Sequence, residues 1–307
     1  MTESKNNNDL TLKLNFLANQ IVEGFIAGYH KSPFHGYSSE FVEHKLYNEG
    51  ESTKHIDWKV YARTNKLYTK KYEEDTNLRC QFILDNSSSM YYPANEAFSF
   101  TELNKIQFSC LAISSLCKLM ERQRDASGLS IFNNSLELNL KQKSSKQQYV
   151  YIYEQLQSIL SAEQTFGNKT NIENIDKIVS NLNKRSVVIL FSDLLENSYN
   201  SKLFNILKHL KFNKHQVILF HVFDSKKEFY FDFSDKPKKF IDLETKNTIN
   251  LFSKQYKNQY TQIMTNYFRD IKKVCAKHKI NYYPADINKG FNSIINNFMI
   301  QKQYYSY

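Results

Sequence analysis

The chain has 307 residues, 41 Lys and Arg against 31 Asp and Glu, and a formal net charge of +10. With 7 Gly, 4 Pro, 21 Tyr and 23 Phe it is neither a fibrous nor a low-complexity sequence, and it is long enough to bury a full core. The lysines are scattered in short pairs such as Lys70-Lys71 and Lys238-Lys239, so the excess charge reads as solvated surface and not as a nucleic-acid footprint.

The N-terminal "MTESKNNNDL" is polar and carries no apolar leader-like stretch, and no apolar run is long enough to span a bilayer. Cys80, Cys110, Cys117 and Cys275 are far apart with no CxxC pair, which fits buried reduced thiols; disulfides in an oxidising compartment are the other option. The expectation is a soluble, cytoplasmic protein. Residues of about 10 to 28 show helical spacing through Leu10, Leu14, Leu17, Ile21, Phe25 and Ile26. From His30 to about Asp75 short segments broken by Pro33, Gly36 and Gly50 predict a small β-rich N-terminal elaboration, so residues 1–77 form one unit and residues 78–307 another.

Beyond Leu78 apolar strands alternate with amphipathic helices. The predicted strands are "CQFILD" ending at Asp85, "SGLSIFN" at 127–133, "SVVILFSD" ending at Asp193, "QVILFHVFD" ending at Asp224 and "INYYPAD" ending at Asp286. Between them, "ELNKIQFSCLAISSLCKLMERQ", "QYVYIYEQLQSIL", "TNIENIDKIVSNL" and "SKLFNILKHLKF" predict helices. This is the pattern of an α/β fold, a Rossmann-like, doubly wound and mostly parallel sheet covered on both faces. A break near 225–255, with "YFDFSDKPKKFIDLET", predicts an inserted hairpin.

Ligands of such sheets gather at the carboxyl ends of the strands, where strand order reverses. Asp85 and Asp193 each end a predicted strand and should face one crevice. After Asp85 the sequence continues as D-x-S-x-S, so Ser87 and Ser89 can turn their hydroxyls toward the same point, and "FGNKTNI" places Thr170 in a polar loop just before a helix. Oxygen-only ligands suit a hard divalent ion such as Mg²⁺, with Mn²⁺ as the alternative. Taken alone, "LDNSSSM" would read as a loop whose Asp and Ser cap the next helix. Thr170 and Asp193 shift the balance to a metal site of Asp85, Ser87, Ser89, Thr170 and Asp193. Asp224 and Asp286 also end strands, but no partner spacing supports ligation by them.

In order and placement these five residues resemble the metal-ion-dependent adhesion site (MIDAS) of von Willebrand factor A (vWA) domains. That resemblance implies hydroxyls that ligate directly or through water, aspartates that act largely through water, and a last position filled by a partner's carboxylate. Ser38 to Phe41, Tyr47 to Gly50 and Ile56 to Arg63 are further similar to the G-x-S-x-E-F, R-x-Y-x-x-G-D and I-D-W-x-x-x-A-R signatures of the bacterial DUF58 family. Lys45 and Glu51 stand where that family usually has Arg and Asp, and Lys does not replace Arg in a bidentate contact. Membership implies a vWA-like, non-enzymatic protein-interaction module whose usual partner is a MoxR-type AAA+ ATPase, in assembly, maturation or stress processes. Within the signature, Asp57 and Arg63 are read as a charge pair and Trp58 as a buried anchor.

No phosphate loop, nucleophile elbow or H-E-x-x-H helix is present, and the histidines, among them His30, His35, His44 and His55, show no metal-ligand spacing. The enzymatic alternative is a Mg²⁺-dependent phosphohydrolase with Asp85 as nucleophile. It needs a second carboxylate two residues on as general acid, and that position is Ser87.

Overall fold

The computed structural model describes residues 14, 16–23, 41–47, 58–72, 78–94, 102–161, 167–183, 185–195 and 197–303. Ser38, Asn48, Gly50, Ile56, Asp57, His30, His35 and His55 lie outside them. A first helix, α1, is described over 16–23. Strands β1 (Phe41–Leu46) and β2 (Tyr68–Tyr72) then pair antiparallel around the short helix α2 (Trp58–Thr64). Trp58 is not the buried anchor expected from the signature, for it is 62% exposed and meets Tyr61 edge-on at 6.1 Å. The physical reason is the brevity of α2: two turns carrying Lys59 and Arg63 offer no continuous apolar stripe, and none of its residues is buried.

The main sheet contains β3 (Arg79–Asp85), β4 (Ala126–Phe132), β5 (Leu136–Lys143), β6 (Val187–Ser192), β7 (Gln216–Phe223) and, after the β8–β9 hairpin (Pro237–Ile241 and Thr248–Phe252), β10 (Asn281–Asp286). Their order is β10-β7-β6-β3-β4-β5, parallel throughout except for the antiparallel β4–β5 edge. The chain therefore moves outward from β3 through β4 and returns to place β6 on the other side of β3. Right-handed crossovers running in opposite directions must put their helices on opposite faces. The sheet is accordingly doubly wound. The helices are α3 (Lys105–Arg122), α4 (Lys146–Ser161), α5 (Ile172–Ser180), α6 (Asn197–Phe212), α7 (Ser253–Lys277) and α8 (Asn292–Gln303).

The alternation of strand side chains divides the core into two halves. Phe82 and Leu84 of β3, Ile189 and Phe191 of β6, and Phe220 of β7 pack with α3, α4 and α8. Their neighbours in sequence, Ile83, Val188, Leu190 and Leu219, face α5, α6 and α7. Leu14 and Val22 belong to the first half, so the N-terminal helix is built into the α/β core and not confined to the unit that precedes it. The four cysteines are buried and form no disulfide among the described residues. Among the described residues no helix is long and apolar enough to cross a membrane.

The inserted hairpin is present as β8–β9. Among the described residues four helices and strands were not expected: α2, β5, α7 and α8. Strand β5, "LELNLKQK", is half exposed along its length, and α7 buries only Ser253, Met264, Ile271 and Cys275, so neither carries a dense apolar signal.

Candidate metal centre

Strand order reverses between β3 and β6, which opens a crevice at their carboxyl ends. Asp85 is the last residue of β3 and Asp193 follows directly on β6, so the sheet itself brings these two together. Asp85 is fully buried and serves as the hub. Its Oδ1 accepts the Ser87 N–H at 3.0 Å, and its Oδ2 accepts the Ser192 hydroxyl at 2.7 Å. The Thr170 hydroxyl lies 3.3 Å from Oδ1 and 3.2 Å from Oδ2.

Two loops hold these groups in place. Ser88 N–H donates to the Asn168 carbonyl and Asn168 N–H returns to the Ser88 hydroxyl, each at 2.9 Å, which staples the loop after β3 to the loop before α5. Asn171 then caps α5 by accepting the Glu173 N–H, and that cap fixes the direction of Thr170. Ser87 stands at the start of a 3₁₀ turn, Ser88–Tyr91, yet its side chain makes no capping bond; its hydroxyl lies 3.0 Å from that of Ser89. Helix α3 is capped instead by Asn104, in a reciprocal capping box with Gln107. The serines are thus released from the capping duty that a plain loop would give them.

Three charged residues that sequence reading missed complete the surroundings. Lys105, the first residue of α3, is fully buried and directs Nζ to Asp193 Oδ2 at 2.7 Å and to Glu228 Oε1 at 2.5 Å. Glu228 sits on a π-helical turn, Ser225–Phe229, whose start is capped by Asp224, and its other oxygen accepts the Asp224 N–H at 2.8 Å. Asp286 likewise accepts the N–H groups of Ser225 and Asn288. Asp224 and Asp286 therefore shape the loops around the crevice. The third residue is Glu244, in the turn between β8 and β9, whose carboxyl is pushed up to about 7 by burial first and then by the charges of Asp193 and Asp85.

The electrostatics follow from this excess of carboxylates. Burial, and then the charge of Asp193, push Asp85 up to about 7, against the hydrogen bonds from Ser192 and Ser87. Burial by itself would lower the Lys105 ammonium, but Asp193 and Glu228 together hold it above its ordinary value. Glu228 is raised, by burial first and by Asp193, with Lys105 opposing. Lys105 thus shifts in the sense an ion pair gives, whereas Glu228 shifts in the opposite one, because burial together with the charge of Asp193 outweighs the shared ammonium.

The residues fit a hard cation. Asp85 carries a fully buried carboxylate which, among the described residues, meets no ammonium or guanidinium, and hydroxyls of Ser87, Ser89 and Thr170 stand around it. Among the described residues no three His, Cys, Asp or Glu side chains are grouped to hold a metal by themselves, so hydroxyl oxygens must supply part of any shell. In the sequence, "ELNKIQFS" reads as the polar start of a helix, and "IDLETK" as the turn of an insertion. Neither carries a spacing that points to the crevice.

The family described as "Protein of unknown function DUF58" matches residues 43–266. No curated protein matches the chain. Similar solved structures include the conserved hypothetical protein BatB from Bacteroides thetaiotaomicron, 16% identical, covering 73% of this chain and 98% of that one with a TM-score of 0.43. An aerotolerance-related membrane protein from Bacteroides fragilis is 16% identical over 73% of this chain and 99% of its own, with a TM-score of 0.43. The SpRpn10 VWA domain is 12% identical, over 72% and 95%, with a TM-score of 0.38.

Proposed function

The chain belongs to the DUF58 family, whose vWA-like fold suggests a protein-interaction module, and we propose that it captures a carboxylate of a protein partner at a divalent-metal site. Asp85, Ser87, Ser89, Thr170 and Asp193 would hold Mg²⁺ or Mn²⁺. Bound there, the ion supplies an electrophilic position that gains from an incoming carboxylate, because hydroxyl-rich ligation leaves it less neutralised than an all-carboxylate cage. The observation that carries this reading is the fully buried Asp85, ringed by hydroxyls and lacking a cation among the described residues.

This chain's own residues do the positioning. Ser192 and the Ser87 N–H fix the Asp85 carboxylate, the Ser88–Asn168 staple holds Thr170 above it, and Lys105 keeps Asp193 at the crevice mouth. The partner class proposed from the family resemblance is a MoxR-type AAA+ ATPase, met in the cytoplasm. The module is read as non-enzymatic. Ser87 cannot protonate a leaving group as a carboxylic acid does, and the Lys105 ammonium is held by Asp193 and Glu228 instead of facing an incoming phosphoryl group.

Calorimetric titration with Mg²⁺ and Mn²⁺ should show one site in the wild type and none in Asp85→Ala, with the circular dichroism of the two proteins alike. An Asp85→Ala protein that titrates like wild type would sink the assignment.

A further inference from the structure

The β8–β9 hairpin has one packed face and one open face. In its register Phe240 opposes Ile249 and Lys238 opposes Leu251, so these four share a side, while Pro237 with Phe252, Lys239 with Asn250 and Ile241 with Thr248 share the other. The Phe240 ring stacks on Phe231 at 5.4 Å and meets Phe233 edge-on at 5.0 Å, Phe231 lies 4.5 Å from Tyr260 of α7, and Lys238 Nζ stands 5.6 Å from the Phe233 ring centre. Ion pairs of Lys254 with Asp235 and of Lys257 with Asp232, each at 3.0 Å, fasten the segment before β8 to α7. On the other face every residue is exposed, Ile241 by 54% and Phe252 by 50%. These aromatic contacts fall on β8, and Ile249 of β9 stays 59% exposed although it lies across from Phe240.

A two-stranded ribbon also leaves two free backbone edges, and among the described residues neither strand pairs with a third. Strand β8 carries Pro237, Lys238 and Lys239, residues that guard an edge against further pairing. Strand β9, "TINLF", has no charge and no proline, so its edge is a template for one more strand. Charge selects what that strand carries. Lys236, Lys239 and Lys246 are exposed and meet no carboxylate at ion-pair distance among the described residues. Of the acids nearby, Asp232 and Asp235 hold lysines of α7, Asp242 accepts the Glu244 N–H inside the turn at 2.9 Å, and Glu244 is half-buried there. A second copy of this chain would bring the same lysines and a charge of +10, and a lipid surface would leave the β9 edge unpaired. The hairpin also adjoins the crevice, since the Leu243 carbonyl accepts the Gly167 N–H at 3.0 Å and Gly167 opens the loop that carries Thr170.

We propose that β9 is a docking edge for an extended acidic segment of a protein partner, which adds as a third strand, sets apolar side chains against Ile249 and Phe252, and meets Lys236, Lys239 and Lys246 with its carboxylates. It deepens the reading above by giving the partner a second contact beside the crevice, and it rests on that reading only in taking the partner to be a protein. Main-chain pairing supplies attachment, and the lysines supply the choice of sign.

Fluorescence anisotropy with a labelled peptide alternating Glu and Val, run in EDTA so that no metal takes part, tests this. Wild type should bind it and should not bind a peptide alternating Lys and Val. Lys236→Glu with Lys239→Glu, and separately Ile249→Ser, should each weaken binding about tenfold with circular dichroism and urea midpoint unchanged, as expected of exposed positions. The peptide methylated at every second backbone nitrogen, made in both registers, should lose binding in one register and keep it in the other, because an added strand turns only alternate N–H groups to its neighbour. No binding, equal binding by the variants, or an equal effect of the two methylated registers overturns the proposal. So does wild type that binds phosphatidylserine vesicles and not the peptide, or that self-associates in sedimentation while Ile249→Ser does not. With metal absent throughout, failure here leaves the Asp85 site standing, and failure of the Mg²⁺ titration leaves this edge standing.

Discussion

Lys105 is an unusual residue to bury. It occupies the first position of α3, where the helix dipole disfavours a cation, and it is completely removed from water. Contacts of 2.7 Å to Asp193 and 2.5 Å to Glu228 offset both costs. Lys105→Met would leave two buried carboxylates without a cation, and removal of one member of such a pair costs about 3–5 kcal/mol. Urea unfolding should show that loss as a lower midpoint with an unchanged slope. A midpoint equal to wild type would mean that the three groups contribute no net stability. The aspartates at the strand ends were legible in the sequence because each closes an apolar run. Lys105 was not, since its partner Asp193 lies 88 positions away and no local pattern records the meeting.

Among the elements, legibility tracked burial. Strands β3, β4, β6 and β7 are covered on both faces and read as continuous apolar runs, whereas β5 at the sheet edge shows only a weak alternation. Helix α7 buries Met264, Ile271 and Cys275 at spacings of seven and four, a stripe too sparse to stand out in a 25-residue polar segment. The β4–β5 edge also contains a close approach that sequence alone does not announce. A Cβ on Gly128 would come within 2.3 Å of Gln81 Oε1 and 2.5 Å of the Leu140 carbonyl oxygen. Gln81 is tied down by its own bonds to Ser130 at 2.9 Å and to Leu140 at 3.1 Å, and the pairing register slips between Ser127 and Leu129. Gly128→Ala should therefore destabilise by about 1–3 kcal/mol, the usual range for overpacking. Chemical unfolding checks this, and a variant as stable as wild type would show that the edge strand moves aside freely.

For the whole molecule, the proposed partner binding would draw separately on the charge of +10 and on the strand-end site. Attraction between exposed charges fades once the screening length falls to about 8 Å near physiological salt, while a contact made through a bound ion is lost to chelator at any salt. Binding to the proposed MoxR-type ATPase, measured across salt with and without EDTA, should show both behaviours. Binding indifferent to EDTA that collapses in salt would assign recognition to the surface charge alone. The sequence by itself determined the α/β class, the inserted hairpin and the strand-end aspartates with their hydroxyls, because apolar period and strand-end residues are properties of neighbours in the chain. Only the tertiary structure decided that β3 lies beside β6, that Lys105 joins Asp193 to Glu228, and that the β8–β9 turn meets Gly167. Those contacts join residues up to 123 positions apart, and they depend on strand order and on which loops fold over the sheet edge, neither of which leaves a local trace.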